Sequence, residues 1–218
     1  MHMAKLTIFD LDNTLLAGDS DRAWGQYLVE IKTLQSDYLD KSERFYNSYY
    51  DGSLDIDGFL QFCLQPLINN KMEDLLQIRE DFINKKIKPM LLDKGRDTVE
   101  KRKALGPVII ATATNSFVTR PIADLYNIDQ LIATEFEIKN NKFTGQVLGI
   151  PCFREGKVNK VQEWASKKGY SLSDATFYSD SFNDLPLLLK VSNAIVVDGD
   201  KKLIEEAQKY GWESISFR

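Results

Sequence analysis

The feature that most limits the fold of this 218-residue chain is an alternation of short apolar runs with longer segments of helical spacing. The runs are mostly continuous, which is typical of parallel strands that are covered on both faces. Strands that alternate with helices predict a doubly wound α/β domain with a mostly parallel sheet. The predicted strands are Leu6–Phe9, Val108–Ala111, Leu131–Ala133, Ala175–Tyr178 and Ala194–Val197. The predicted helices are Phe117–Tyr126, Lys157–Lys168, Asp184–Leu189 and Lys201–Tyr210.

One long region interrupts this alternation. Between about residues 16 and 90 no run resembles a strand, and four helix-like segments follow one another, punctuated by Asp51-Gly52, Pro66 and Pro89. We predict that residues 1–15 and 91–218 form the core, and that residues 16–90 form a helical cap inserted above the carboxyl edge of the sheet. A later segment, "FEIKNNKFTGQV", predicts a hairpin that turns at Asn140-Asn141.

Composition excludes several classes of protein. The net charge of −4 disfavours a general nucleic-acid or anionic-membrane binder, and no apolar run has the length of a membrane span. Cys63 and Cys152 lie far apart without metal-ligand spacing, so we expect them to be reduced thiols in a cytoplasmic protein. The start of the chain shows no apolar leader. The single histidine, His2, is expected in a flexible terminus, which leaves catalysis to carboxylates, lysine, hydroxyls and a hard metal ion.

Polar side chains follow several of the predicted strands. Asp10 and Asp12 follow the first strand, Thr112 ends the second, Asp180 ends "TFYSD", and Lys157 opens a helix. Each has an ordinary explanation when taken alone, such as a helix cap or a solvated surface charge. Because ligands of such sheets bind beyond the carboxyl ends of the strands, the combination favours a functional site at that edge.

These motifs resemble those of a known family. The segments "DLDNTL", "VIIAT" and "SDSFNDLPLL", together with Lys157, are similar to the four motifs of the haloacid dehalogenase superfamily of phosphohydrolases, in the branch that includes phosphoserine phosphatase. The resemblance spans nearly the whole chain. It implies a Rossmann-like core with a helical cap inserted after the first motif, and a hydrolase that acts on small phosphate esters.

The resemblance also implies a role for each motif residue. Asp10 would be the nucleophile that forms an aspartyl-phosphate, and Asp12 would serve first as general acid and then as general base. Lys157 would hold the phosphate and the nucleophile as a point charge. Thr112 and the neighbouring backbone N–H of Ala113 would bind phosphoryl oxygens.

A magnesium ion is expected in the same place. Carboxylates of Asp10, Asp180 and Asp184, with a main-chain carbonyl of the first motif at Asp12, would make an oxygen-rich site suited to Mg²⁺. Asn183 would orient Lys157 or the fourth-motif loop and contribute to substrate binding.

The substrate is less strongly indicated. Phosphoserine phosphatases hold the substrate carboxylate with a cap arginine, but "DGSLDIDGFLQFCLQPL" has none, and Cys63 falls near that place. Arg44 and Arg79 lie elsewhere in the cap and could substitute for it, so the departure weakens phosphoserine without excluding it. The resemblance also places Asp19 where the family keeps an acid that meets the substrate amine, and Asp21 is close by. Asp19 could equally be a helix N-cap. This pattern favours an amino-alcohol phosphate, L-histidinol phosphate first and phosphoserine second, in a monomer or homodimer.

Rival interpretations share parts of the pattern. A dehalogenase of the same superfamily lacks the second acid of the first motif, so Asp12 argues against it. A receiver domain is shorter and has no large helical insertion. A phosphotransferase or mutase would share every catalytic residue and stays open. A catalytically silent binding module would be expected to lose a nucleophile or a metal ligand, and here none is missing.

Overall fold

The computed structural model describes residues 5–218, so the expectation for His2 lies outside the described residues. Within that range the strands form one seven-stranded sheet with the order β4-β3-β2-β1-β5-β6-β7. All neighbouring strands are parallel except β3 and β4, which are antiparallel. The strands are β1 (Thr7–Phe9), β2 (Val108–Asn115), β3 (Gln130–Lys139), β4 (Lys142–Leu148), β5 (Thr176–Ser179), β6 (Asn193–Val197) and β7 (Glu213–Ile215).

Helices lie in two groups along the chain. The insertion contains α1 (Ser20–Glu30), α2 (Asp37–Asp51), α3 (Ile56–Ile68) and α4 (Met72–Phe82), and α4 runs into a π-helical turn at Ile83–Ile87 and a 3₁₀ turn at Lys88–Met90. The helices outside it are α5 (Asp93–Lys103), which precedes β2, and α6 (Ser116–Leu125), α7 (Glu155–Lys167), α8 (Leu185–Leu188) and α9 (Lys201–Tyr210), which follow β2, with 3₁₀ turns at Leu172–Asp174 and Phe182–Asp184. No helix among the described residues combines the length and apolarity needed to cross a bilayer.

The sheet is covered on both faces, as its apolar strands require. Ile8 and Phe9 of β1 are both fully buried, yet they belong to two different hydrophobic clusters. Phe177 and Tyr178 of β5 likewise belong to different clusters. Successive side chains of a strand point to opposite faces, so the two clusters are the two sides of a doubly wound sheet. The predicted α/β fold with a mostly parallel sheet is confirmed.

The two ends of the helical insertion meet beside the sheet. Leu16 and Leu91 form an isolated antiparallel bridge. The backbone N–H of Ala17 donates to the carbonyl of Met90 at 2.7 Å. These contacts lie at the boundary that we predicted between core and cap; the division into 1–15 with 91–218 and 16–90 remains a proposal.

Three local features differ from the sequence expectation. The second strand does not end at Thr112 but continues to Asn115, and its pairing with β3 is interrupted between Ala111 and Asn115. Pro66 does not end a helix but lies in the last turn of α3. A short edge strand, β7, follows α9. The hairpin at Asn140 and Asn141 is confirmed, and both residues have the positive φ of a tight β-turn.

Candidate active site

One cavity at the carboxyl edge of the sheet collects the residues predicted from the strand ends. Asp10 directly follows β1, and Thr112 lies where the pairing of β2 with β3 is interrupted. Asp180 directly follows β5, and Lys157 is in the first turn of α7. All of these residues line the cavity, and so do Asp12, Asp19, Ala113, Asn183 and Asp184. The structure therefore brings every predicted site residue to one place.

A buried lysine stands between two carboxylates. Nζ of Lys157 is 2.9 Å from Oδ1 of Asp10 and 2.6 Å from Oδ1 of Asp184, and all three residues are more than 90% buried. Burial alone lowers the pKa of Lys157, but the two carboxylates hold that pKa well above its usual value. Burial raises the pKa of Asp10 to about 7, against the opposing effect of Lys157. Lys157 is therefore a fixed positive charge beside Asp10.

Asp12 is held by two donors, one on each carboxylate oxygen. The backbone N–H of Ser20 donates to Oδ1 at 2.7 Å, and the hydroxyl of Thr114 donates to Oδ2 at 2.8 Å. Burial and the nearby charge of Asp19 raise the pKa of Asp12 to about 7. A carboxyl group with this pKa can both give and take a proton near neutral pH.

The remaining carboxylates show which residues could hold a cation. The hydroxyl of Thr14 donates to Oδ1 of Asp180 at 3.0 Å, and burial with the charges of Asp10 and Asp184 raises the pKa of Asp180 well above its usual value. Asp184 is already engaged on both oxygens, by Lys157 and by the hydroxyl of Ser179 at 2.7 Å. Asp10 and Asp180 are therefore better placed to meet a cation directly than Asp184.

The carboxylates of the cavity fit a hard cation whose remaining ligands are other oxygen atoms. Six aspartates and one lysine line the cavity, so the described residues leave a large negative charge uncompensated there. In residues 5–218 no three aspartate, glutamate, histidine or cysteine side chains converge as a ready-made metal site. Two carboxylates supplemented by a main-chain carbonyl and water are the ligands that Mg²⁺ commonly takes.

Residues of the helical insertion close one side of the cavity. The hydroxyl of Tyr49, near the end of α2, lies 2.8 Å from the hydroxyl of Ser181. Asn183 donates to the carbonyl of Tyr49 at 3.3 Å and accepts from Nε of Arg154 at 2.9 Å. Asn183 thus connects the insertion to the loop after β5, and its hydrogen bonds go to these residues instead of to Lys157.

Two further carboxylates that line the cavity come from the start of the insertion. Oδ1 of Asp19 accepts from the backbone N–H of Arg22 at 2.7 Å and from the hydroxyl of Tyr46 at 2.9 Å, so Asp19 is the N-cap of α1. Oδ2 of Asp21 accepts from the thiol of Cys63 at 3.2 Å. Burial raises the pKa of both aspartates to about 6. Among the described residues, neither aspartate forms an ion pair with a lysine or an arginine.

Comparison with known proteins agrees with the fold and the site. A sequence model of the haloacid dehalogenase-like hydrolases matches residues 7–189. The chain belongs to this family. It is 36% identical to a histidinol-phosphatase from Neisseria meningitidis serogroup C, over 99% of this chain and 100% of that protein. The predicted family is thus confirmed, and the protein is a phosphatase, a hydrolase of phosphoric monoesters.

Solved structures of the family agree with this architecture. A protein of unknown function from Bordetella pertussis Tohama I has a TM-score of 0.92 and 34% identity, with 99% of this chain and 100% of that chain covered. A substrate-bound phosphoserine phosphatase has a TM-score of 0.71 at 17% identity, with 96% and 99% covered. At 17% identity, the similarity to the phosphoserine phosphatase concerns the fold alone.

The cap arginines do not take the place of the missing clamp. Arg79, on α4, donates to the carbonyl of Phe117 at 2.7 Å and stacks on its ring. Neither Arg79 nor the exposed Arg44 lines the cavity. Cys63, which the sequence resemblance placed near that clamp, donates its thiol hydrogen to Asp21. Burial and Asp21 raise the pKa of this thiol well above its usual value.

Several residues that contact the site were not among those predicted from the sequence, and Thr114, Tyr49 and Arg154 are examples. Thr114 could have been found, because it lies two positions after Thr112 on the same strand and so faces the same side. Tyr49 and Arg154 carry no sequence signal of this kind, because their contacts depend on how the insertion sits on the sheet.

Proposed function

We propose that this phosphatase hydrolyses a small amino-alcohol phosphate, with L-histidinol phosphate as the preferred substrate, in a Mg²⁺-dependent reaction through an aspartyl-phosphate at Asp10. One observation carries the substrate class: the cavity joins Asp10 and Lys157 to Asp19 and Asp21, and Lys157 is the one basic residue among the described residues that line it. The positive end of the substrate would meet these two acids. A relative that matches over 100% of its own length bears the name histidinol-phosphatase, which supports the same choice.

In the first step a carboxylate oxygen of Asp10 attacks phosphorus in line with the ester bond. As that bond breaks, the leaving alkoxide takes the proton of the Asp12 carboxyl group, and the phosphoryl group stays on Asp10. Lys157, already 2.9 Å from Asp10, offsets the charge that gathers around the phosphoryl oxygens. Thr112 and the backbone N–H of Ala113 would bind two of those oxygens.

In the second step Asp12 acts as a base. It removes a proton from water, which attacks phosphorus and releases inorganic phosphate and the free Asp10 carboxylate. The hydrogen bonds from Ser20 and Thr114 hold Asp12 in one orientation through both steps. A pKa near 7 suits a group that must be protonated in one step and ionised in the next.

The residues fit a magnesium ion. Asp10, Asp180 and the main-chain carbonyl of Asp12 would hold it, while Asp184 would keep Lys157 in position from the other side. When bound, Mg²⁺ supplies charge neutralisation for the carboxylates and the transferring phosphoryl group. Asn183, Tyr49 and Arg154 would keep the insertion closed as a cap over this chemistry and exclude bulk water.

A substrate panel tests the proposal. We expect kcat/KM for L-histidinol phosphate to exceed that for phosphoserine, O-phosphoethanolamine and hexose phosphates by at least roughly tenfold, since phosphoserine brings a second anion to an acidic cavity and sugar phosphates bring no cation. Comparable turnover of a folded phosphoprotein would contradict a closing cap. A clear preference for phosphoserine would refute the proposed substrate and leave the phosphatase chemistry standing.

A further inference from the structure

The two aspartates at the start of α1, Asp19 and Asp21, differ in the hydrogen bonds that their oxygens accept. Asp19 accepts two well-formed hydrogen bonds on one oxygen, from Arg22 and Tyr46 at 2.7 and 2.9 Å. Asp21 receives a weak thiol donor, Cys63, and two contacts of 3.5 Å, from the hydroxyl of Tyr46 and the side-chain amide of Asn115. Contacts of that length are at the limit of a hydrogen bond. Both aspartates can therefore accept a donor from a ligand: Asp19 on Oδ2, and Asp21 in place of donors that are all weak.

The two aspartates also have different neighbours. Asp19 directly precedes α1, and the backbone N–H of the next residue, Ser20, donates to Asp12 at 2.7 Å, so Asp19 lies beside the reacting end of the cavity. Asp21 lies in the first turn of α1 and is held by Cys63 of α3 and by Asn115 at the end of β2. The aspartate whose present donors are all weak is thus the one that contacts α3.

The wall beside Asp21 is aromatic. Tyr46 and Phe59 line the cavity and pack edge to face, with ring centroids 6.0 Å apart. Flat apolar faces next to a buried carboxylate suit a planar ring that carries an N–H group, because the rings contact its faces while the carboxylate accepts from its edge. An aliphatic amine alone would make less contact with these rings.

We propose that Asp21 is a specificity-determining residue that accepts a hydrogen bond from a nitrogen-bearing ring of the substrate, while Asp19 receives the ammonium group. The inference rests on the proposed function and deepens it. In L-histidinol phosphate the ammonium group is on the second carbon from the ester oxygen, and the imidazole is one carbon further away. Two acceptors, one beside Asp12 and one beside α3, match these two donors, whereas one acceptor could not distinguish this substrate from a simple amino-alcohol phosphate.

Paired substrates isolate the effect of the ring. We would measure kcat/KM for L-histidinol phosphate and for O-phosphoethanolamine, which has the amine but no ring, in wild type, Asp21→Asn and Asp19→Asn. Asp21→Asn should lower the ratio of the two values roughly 10- to 100-fold, the range for loss of a hydrogen bond to a charged group, mainly through the KM for L-histidinol phosphate. Asp19→Asn should lower both values and change the ratio little. Asp37→Asn, on the exposed face of α2, is the matched control and should resemble wild type.

Product binding gives a second readout that does not depend on turnover. Calorimetric titration with L-histidinol should show Kd weakened by a similar factor in Asp21→Asn, with the thermal midpoint of the free protein maintained. A high wild-type ratio that Asp21→Asn leaves unchanged refutes this inference alone, and so does a loss specific to the ring in Asp19→Asn. If kcat/KM for L-histidinol phosphate and for O-phosphoethanolamine is nearly equal in the wild type, both the proposed substrate and this inference are refuted.

Discussion

Asp10 is the residue on which the proposed reaction depends most directly. Asp10→Asn is nearly isosteric, and Lys157 keeps its ion pair with Asp184, so the fold should be maintained. Turnover should fall at least roughly a thousandfold, because an amide is a poor nucleophile and loss of a nucleophile is among the largest single effects on kcat. The measurement is kcat on a phosphomonoester, with the thermal midpoint as a folding check. Asp97→Asn, exposed on α5, is the control; retention of most activity in Asp10→Asn would contradict the assignment.

Thr114 acts at the same scale through its hydrogen bond to Asp12. That bond lowers the pKa of Asp12 against the effect of burial, so Thr114→Val should raise it. A general acid with a higher pKa stays protonated to higher pH, and the alkaline limb of the pH–rate profile should move upward. Loss of the positioning bond should also reduce kcat roughly tenfold. Thr144→Val, exposed on β4, should leave the profile unchanged; an unshifted profile in Thr114→Val would argue against Asp12 as the titrating group.

At the scale of elements, the C-terminal end of α2 is held against the core by cations. Lys202 donates to the carbonyls of Tyr50 and Asp51 at 3.2 and 3.0 Å, and Arg154 donates to that of Gly52 at 2.7 Å. These carbonyls carry the partial negative charge of a helix C-terminus, so positive side chains stabilise the closed arrangement. Gly52 has φ of +87°, a conformation that favours glycine and ends the helix there.

Lys202→Met should therefore loosen the insertion without touching the chemistry. We expect amide hydrogen exchange at the end of α2 to accelerate and kcat/KM to fall roughly two- to fivefold, in keeping with a surface interaction of this type. Lys201→Met, its exposed neighbour on α9, is the matched control. Equal exchange in the two variants would show that Lys202 does not hold the cap.

At the scale of the whole molecule, the buried carboxylates should make folding stability depend on the metal ion. EDTA should abolish turnover and added Mg²⁺ should restore it. A ligand at a hundred times its Kd stabilises the folded state by about 2.7 kcal/mol, which is a rise of roughly 5–10 °C in Tm for a chain of this size. Asp180→Asn should lose most of that rise. An identical Tm with EDTA and with Mg²⁺ would contradict a resident magnesium site.

Much of the fold follows from local pattern. Continuous apolar runs such as Leu6–Phe9 predict buried parallel strands, and the four helices of the insertion follow from helical spacing, because both signals come from neighbours in the chain. The local rules fail where packing overrides them. Pro66 loses one backbone hydrogen bond, yet α3 continues, since Leu64 and Leu67 on either side of it are buried in the core.

The sequence by itself determined the family, through its four motifs. It also determined the edge of the sheet at which the polar residues meet, because parallel strands end on the same side whatever the details of packing. Only the tertiary structure decided which carboxylate meets which donor: Lys157 between Asp10 and Asp184, Thr114 on Asp12, and Cys63 on Asp21. Hydrogen bonds depend on a few tenths of an ångström between residues far apart in the chain. No local pattern encodes distances of that kind; they are set when the insertion packs on the sheet.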